Sequence, residues 1–285
     1  MTLVPLPELL AAARPGGLGA FNVITLEHAQ AIAAAAESAN RPAVLQISEN
    51  TVRYHRGLKP LAHACLHLAA DSGAALAVHL DHATSRELIT QAVELGITSV
   101  MYDGSALDYA ANVEATATVT RWCQDRGVHV EAELGAIGGK DGAHTPGVRT
   151  DPDEAVAFVA ATGVDALAAA VGSAHAMRTR DAVLDTRLIA ALAAKLPVPL
   201  VLHGSSGVSD TGLRAAVRHG MAKVNIATRL NIALAESVRA TLAAHPDLSD
   251  PRRYLGPGRT AIQREVEHYL RVLSSGGETP GPARA

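Results

Sequence analysis

Eight short apolar runs set the limits on what this chain can fold into. They read GAFNVIT (19–25), AVLQIS (43–48), ALAVHLDH (75–82), SVMYDGS (99–105), VHVEAELG (128–135), ALAAAVGS (166–173), PLVLHGSS (199–206) and KVNIATR (223–229). Each has the length of a strand. The segments between them, such as LEHAQAIAAAAESAN, RELITQAVELG and DEAVAFVAATG, are Ala-rich and amphipathic, and several close on Gly or Asn as helix C-caps do. Strands alternating with helices predict a parallel sheet. Eight such units in 285 residues predict an α/β fold, a TIM (β/α)8 barrel. A doubly wound sheet would want a Gly-rich fingerprint after the first strand, and FNVITLEHAQ has none. Two more helical segments, NIALAESVRATLAAH and GRTAIQREVEHYLRVL, follow the eighth run. The second exceeds the eight-unit plan, so it is expected to cap the barrel or meet a partner subunit. One domain is expected over 1–273, with a disordered Gly/Pro/Ser-rich tail over 274–285.

Composition narrows the function classes. A hydrophobic content of 48% suffices for one sizeable core. A net charge of −3 offers no basic field for nucleic acid. Cys65 and Cys123 make neither a disulfide framework nor a CxxC pair. No apolar run is long enough to span a bilayer, and MTLVPLPELLAAARPGG lacks the regions of a signal peptide. A cytoplasmic protein without membrane or nucleic-acid partners is expected.

In a TIM barrel the reaction site lies at the C-terminal ends of the strands. The third run ends in Asp81-His82, the fourth in Asp103, and the fifth carries Glu131 and Glu133. His175 follows the sixth, His203 ends the seventh, and Asn225 lies in the eighth. A single strand-end histidine is usually a hydrogen-bonded structural residue. Three converging on one rim beside Asp81 are a catalytic Zn²⁺ arrangement. His79 shares a strand face with Asp81 and reads as a supporting or core residue. His63 and His67 have metal-like i,i+4 spacing but lie far from any strand end, so they read as ordinary helix residues. HGSSG (203–207) and NIATR (225–229) follow the seventh and eighth strands, where TIM barrels often bind phosphate. GAIGGKDGAHTPG (135–147) reads either as a solvated linker or as a mobile lid bearing Asp141.

These residues carry a resemblance. HLDH, VEAELGAIGG, AAAVGSAH, PLVLHGSSG, AKVNIATRL and DPRRYLGPGR, in order along nearly the whole chain, resemble the class II, zinc-dependent ketose-bisphosphate aldolases, which include fructose- and tagatose-1,6-bisphosphate aldolases. The resemblance implies reversible aldol cleavage of a phosphorylated ketose, with fructose-1,6-bisphosphate as the leading substrate. It implies Zn²⁺ on His82, His175 and His203, and a second, peripheral Zn²⁺ on Asp103 and Glu133. A monovalent cation is a further candidate cofactor. Asp81 matches the general acid/base, and Asn225 is suited to donate a hydrogen bond to the enediolate. Gly204, Ser205 and Ser206, with Asn225, Ile226, Ala227 and Thr228, match the segments that bind the dihydroxyacetone phosphate half, and Ser48 matches a serine near the aldehyde half. Arg252 matches a segment that in relatives reaches a neighbouring subunit's second phosphate, so a homodimer or homotetramer is expected.

Three departures fall on substrate-contacting loops. Ala176 stands where the family usually has Gly. AMRTRD replaces a segment with a phosphate-facing lysine, leaving Arg178 or Arg180 as substitutes at the substrate. Lys140-Asp141 stands where the lid carries Glu, which gives Asp141 the second proton transfer. Rival functions fit less well. A Schiff-base aldolase needs a strand-end lysine, but Lys59 and Lys140 fall in loops or lids, Lys195 on a helix and Lys223 at a strand's start. A barrel metallohydrolase would want paired histidines in FNVIT. A non-catalytic binding barrel leaves Asp81 and the three histidines without a role.

Overall fold

The computed structural model describes residues 3–134 and 149–275. Its elements run α1 (Leu6–Ala13), β1 (Leu18–Asn22), α2 (Leu26–Ala39), β2 (Ala43–Ser48), α3 (Glu49–His55), α4 (Lys59–Asp71), β3 (Leu76–Ala83), α5 (Arg86–Glu94), β4 (Ser99–Tyr102) and α6 (Tyr109–Gln124). They continue with β5 (His129–Leu134), α7 (Pro152–Thr162), β6 (Ala166–Ala169), α8 (Thr186–Lys195), β7 (Leu200–Leu202), α9 (Asp210–Arg218), β8 (Met221–Ile226), α10 (Thr228–Ala244) and α11 (Pro251–Ser274). The eight strands are all parallel and close in sequence order, with β1 hydrogen-bonded to both β2 and β8. The expected TIM barrel is therefore the observed one.

Local chemistry starts and stops the helices. Asp151 caps α7 through the N–H groups of Asp153 and Glu154, Pro152 opens its first turn, and Gly163 ends it in the left-handed region at φ +67°. Ser85, Asp108, Asp185 and Ser209 cap α5, α6, α8 and α9 in the same way.

Strand residues alternate between two environments. One parity, including Phe21, Leu45, Ile47, Val78, Leu80, Val130, Leu167 and Ile226, packs in the main apolar cluster that includes buried residues of the surrounding helices. The other parity fills the barrel's interior. At its floor Leu6, Leu9 and Ala13 of α1 pack on Leu18, Ala20, Val44 and Ala77, so α1 plugs the bottom. The sequence pattern had assigned no element to residues 6–13. Higher up, β6 and the residue after it contribute only Ala166, Ala168 and Ala170, beside Val201. Those small residues leave room for buried polar side chains from the other strands, among them Gln46, His79, Glu131 and Lys223.

Several strands are shorter than their apolar runs. SVMYDGS, ALAAAVGS and PLVLHGSS keep four, four and three residues in the sheet, and their C-terminal residues turn into the loops of the mouth. The last run starts earlier, at Met221, so Lys223 lies inside β8 rather than at its start. Lys59 opens α4 instead of lying in a loop. The predicted added helix is α11. It packs against α2 and α10, with Gly258 so close to Leu234 that a Cβ would lie 2.5 Å from Leu234 Cδ1. His63 and His67 lie on the solvent side of α4, with His67 3.2 Å from Asp71. Among the described residues no helix is long and apolar enough to cross a membrane. Of the expected tail, residues 276–285 lie outside the described residues.

The plug makes a test of the floor independent of the mouth. Leu9 is 1% exposed. Leu9→Ala should lower unfolding stability by about 2–5 kcal/mol, read as a lower urea midpoint, because the barrel floor cannot collapse around the lost methyls.

Candidate active site

The mouth gathers the strand-end residues into one group. His82, Glu133, His175 and His203 each present a ligand atom, and these atoms all lie within 4.8 Å of one another. The rings stack edge to face, with His82 4.7 Å from His203 and 5.2 Å from His175 between centroids.

Consecutive strand residues normally point to opposite faces, so Asp81 and His82 should not share a site. They do because β3 breaks register against β4 between Leu80 and Ala83, and His82 adopts φ +52°. A left-handed histidine is uncommon and carries a strain cost. Here the turn brings its imidazole to the mouth. His175 arrives from the loop after β6, which Ser173 ties to β7 by donating its hydroxyl to the His203 carbonyl at 2.6 Å.

Two of the rings, His82 and His203, are oriented from behind. His82 Nδ1 lies 2.8 Å from Asp103 Oδ2, and Asp103 Oδ1 accepts from the Ser105 hydroxyl at 2.6 Å and the Ser105 N–H at 3.1 Å. His203 Nε2 lies 2.9 Å from Glu131 Oε1, and Lys223 Nζ donates to the other oxygen of that carboxylate at 2.7 Å. This leaves His203 Nδ1 without a hydrogen-bond partner, 3.5 Å from Glu133 Oε2. Glu133 and Asp103 were expected together at a peripheral ion. Their geometry differs: Glu133 lies within the histidine group, whereas Asp103 backs His82.

Charge explains what this group suits. Asp81, Asp103, Glu131 and Glu133 are buried, and among the described residues Lys223 is the one buried lysine or arginine. Burial works against ionising Glu131, but Lys223 and then the hydrogen bond with His203 outweigh it and hold its pKa well below the usual range. Asp81 is likewise lowered: burial would raise it, and the charges of His82, His203, His79 and Lys223 prevail. Burial would lower His203, but the hydrogen bond to Glu131 and the adjoining Glu133 carboxylate push it up to about 9. His79 goes the other way, to about 3, through burial and the neighbouring Lys223, and bonds Ser99 at 2.7 Å as a core histidine. A surplus of buried carboxylates around three imidazoles fits a divalent cation, and three nitrogens with one carboxylate oxygen are a zinc-type donor set. His82, His175, His203 and Glu133 are the residues that would hold it.

A cavity of about 330 Å³ opens beside this group. Asp81 lines it, 3% exposed, with Oδ1 lacking a hydrogen-bond partner and 3.9 Å from His82 Nε2. Ser48, Ala176, Gly204, Ser205, Ser206, Asn225, Ala227 and Thr228 also line it. Gly204 is required there: at φ +65° its added Cβ would lie 2.5 Å from the Ala174 carbonyl oxygen. Ala176 is also left-handed, at φ +59°, which is why a glycine would suit that position better. Thr228 opens α10 and Ala227 supplies no side-chain cap, so the first N–H groups of this helix meet the cavity. A larger groove, about 720 Å³, lies by α4 and α5 among Lys59, Arg86 and Glu87 and shares none of these residues.

Three expected residues stand elsewhere, and a fourth is not among the described residues. Ile226 packs its side chain into the apolar cluster, leaving only its backbone near the mouth. Arg178 is exposed on the β6–α8 loop and does not line the cavity. Arg252 pairs with its own helix cap, Asp250, at 2.8 Å and is also outside the cavity. Asp141 lies outside the described residues. Arg180, the alternative to Arg178, is engaged by Asp210 and by the Val208 carbonyl. The sequence reading had missed Asn22, Gln46, Glu49, Asn50, Arg53 and Thr84 in the cavity wall. A signal existed for two of them. Gln46 is a polar residue two before Ser48 on one strand face, and Asn22 ends β1; they hydrogen-bond at 3.2 Å. Glu49 joins α3 to the β3–α5 loop by accepting from the Thr84 N–H at 2.6 Å.

The profile of the family described as fructose-bisphosphate aldolase class-II matches residues 4–278. The chain is 39% identical over 281 residues to a fructose-bisphosphate aldolase of Staphylococcus epidermidis, covering 96% of this chain and 98% of that one. It is 38% identical over 284 residues to a fructose-bisphosphate aldolase of Geobacillus stearothermophilus, covering 98% and 99%. Its fold is similar to that of the YdjI aldolase of Escherichia coli K12, with a TM-score of 0.80 at 27% identity over 95% of this chain and 97% of that one.

The donor set predicts which substitutions remove a metal. His175→Ala or Glu133→Ala should weaken binding of a divalent cation at least about 10-fold, measured by competition with a chromophoric chelator. His63→Ala, on the outer face of α4, should leave the affinity unchanged.

Proposed function

The chain belongs to the class-II fructose-bisphosphate aldolase family and is an aldolase, and on that premise we propose that it is a zinc enzyme cleaving fructose-1,6-bisphosphate reversibly to dihydroxyacetone phosphate and an aldehyde. The observation that carries the reading is the cluster of three histidines and Glu133 beside the buried, ionised Asp81, in the same cavity as the N-terminus of α10.

A zinc ion held by His82, His175, His203 and Glu133 would supply Lewis-acid polarisation of the ketose oxygens. The remaining work belongs to the chain. Asp81 Oδ1 accepts the proton from the hydroxyl on the carbon that becomes the aldehyde, as the carbon–carbon bond breaks and its electron pair moves toward the ketone carbon. In condensation Asp81 returns that proton. The Asn225 amide donates to the oxygen on which negative charge develops. The phosphate of the dihydroxyacetone half sits against Gly204–Ser206 and the first N–H groups of α10, where the helix end favours an anion. Ser48, which lines the same cavity, serves the aldehyde half. Asp141 provides the second acid, at the carbon of the dihydroxyacetone half. Arg178 moves to that half's phosphate in place of a lysine, and Arg252 reaches a neighbouring subunit's second phosphate, which makes the working form a homodimer or homotetramer. Asp103 holds a peripheral ion in an alternative setting of its carboxylate. The cytoplasm, where hexose bisphosphates are metabolised, is the proposed location.

Two outcomes are expected. In an assay coupled to dihydroxyacetone phosphate, exhaustive chelation should abolish cleavage and added Zn²⁺ should restore it; full activity in the chelated protein would remove the metal from the reaction. Asp81→Ala should keep its zinc and slow cleavage by about 10²–10⁴-fold, the usual size of a proton-transfer contribution. Loss of zinc in step with activity would make Asp81 a ligand instead.

A further inference from the structure

The buried lysine of the barrel has no part in the chemistry above, yet it stands one residue away from it. Lys223 lies on β8, Glu131 on β5 and His203 just past the end of β7, so the link between them runs across the lumen past the two intervening strands. The alanines of β6 leave that path open. Lys223 and Glu131 are 1% and 0% exposed, and each oxygen of the Glu131 carboxylate has one partner: Lys223 Nζ at 2.7 Å and His203 Nε2 at 2.9 Å.

We propose that Lys223 is a positioning residue that acts through Glu131 to hold His203 in the tautomer and orientation presenting Nδ1 to the metal group. The inference rests on the reading that His82, His175, His203 and Glu133 bind a divalent ion. The physical argument is one of donors and acceptors. A carboxylate offers only acceptors. Glu131 therefore requires a proton on His203 Nε2, so that in the neutral ring, the form that ligates a metal, Nδ1 carries the lone pair. Nδ1 is the ring nitrogen that lacks a hydrogen-bond partner and lies nearest Glu133. Lys223 supplies the fixed end of the link: without it, a buried carboxylate would lose one of its two partners and its rotamer would no longer be set from both sides.

This role has a sign that separates it from simple electrostatics. An ammonium in the lumen repels a divalent cation, so if Lys223 acted only through its charge, Lys223→Met would tighten zinc binding. Positioning predicts the opposite, a loss of about 10–100-fold, the usual cost of removing an outer partner of a metal ligand.

Glu131→Gln sharpens the test. Glutamine offers one acceptor and one donor group where both neighbours donate. Lys223 would claim the oxygen, the amide NH₂ would face His203 Nε2, and the proton would be driven to Nδ1, where it blocks the metal. In the double variant Lys223→Met/Glu131→Gln the oxygen is released to His203, so its zinc affinity should exceed that of Glu131→Gln alone while staying below that of the parent.

The experiment measures zinc dissociation constants of the full-length parent and variants by chelator competition, with the melting temperature of each metal-free protein alongside. Leu9→Ala, at the barrel floor, is the control for general destabilisation and should bind zinc as the parent does. Parental or tighter zinc binding by Lys223→Met overturns the proposal. So does a loss of zinc affinity in Leu9→Ala equal to that in Lys223→Met. If Lys223→Met does not fold, equal affinities in Glu131→Gln and the double variant overturn it. A parent chain that binds no zinc at all would instead remove the metal reading on which the proposal stands.

Discussion

The interior of this barrel buries four carboxylates, and among the described residues only one lysine or arginine is buried with them. That imbalance organises the rest of the site. Burying an ionised carboxylate without a partner costs several kcal/mol, so each one must be paired, hydrogen-bonded or neutralised by an ion. Asp103 is bound by Ser105 and His82, and Glu131 by Lys223 and His203. Asp81 and Glu133 lie at the mouth against the imidazoles of His82 and His203, a charge pattern that suits a divalent cation. The high pKa of His203 reflects the same demand, since the neighbouring carboxylates favour positive charge strongly enough to overcome burial.

Two backbone features convert this charge pattern into a site. The break in register of β3 at His82 lets a carboxylate and an imidazole adjacent in sequence serve one cavity, which a regular strand forbids. The turn of Gly204 against Ala174 brings the segment after β7 beside the start of α10. Both are left-handed conformations, free of strain for Gly204 but costly for His82, and such strain persists only where surrounding structure overdetermines it. Around His82 that structure is the Asp103–Ser105 hydrogen-bond set. Around Gly204 it is the tether from Ser173 to the His203 carbonyl. The alanines of β6 have a matching role in the lumen, because larger residues there would displace the link between Glu131 and Lys223.

Much of this was legible from residue order alone. Strand periodicity located all eight strands, because apolar runs of that length between amphipathic helices have few other solutions. The rim histidines followed from one topological rule, that strand C-termini share a face. The eye for polar residues in apolar runs also found Asp81, Glu131 and Glu133. It misjudged Lys223, since a lysine at the start of an apolar run reads as a solvated boundary. Only the register of β8 between β7 and β1 turns that side chain into the lumen. Glu49 and Arg53 were invisible for a related reason: they belong to a helix that begins directly after β2, and nothing in ENTVRYH announces that it borders the mouth.

The sequence by itself determined the barrel, the set of ligand-type residues and the glycine that the seventh loop requires, because periodicity, residue chemistry and backbone freedom are local properties. Tertiary structure alone decided how these groups are apportioned. It set Glu133 among the histidines and Asp103 behind one of them, kept Arg178 and Arg252 outside the cavity of their own chain, and joined Lys223 to His203 through Glu131. Those assignments depend on ångström-scale distances between residues dozens of positions apart, and these follow from the closure and register of eight strands together.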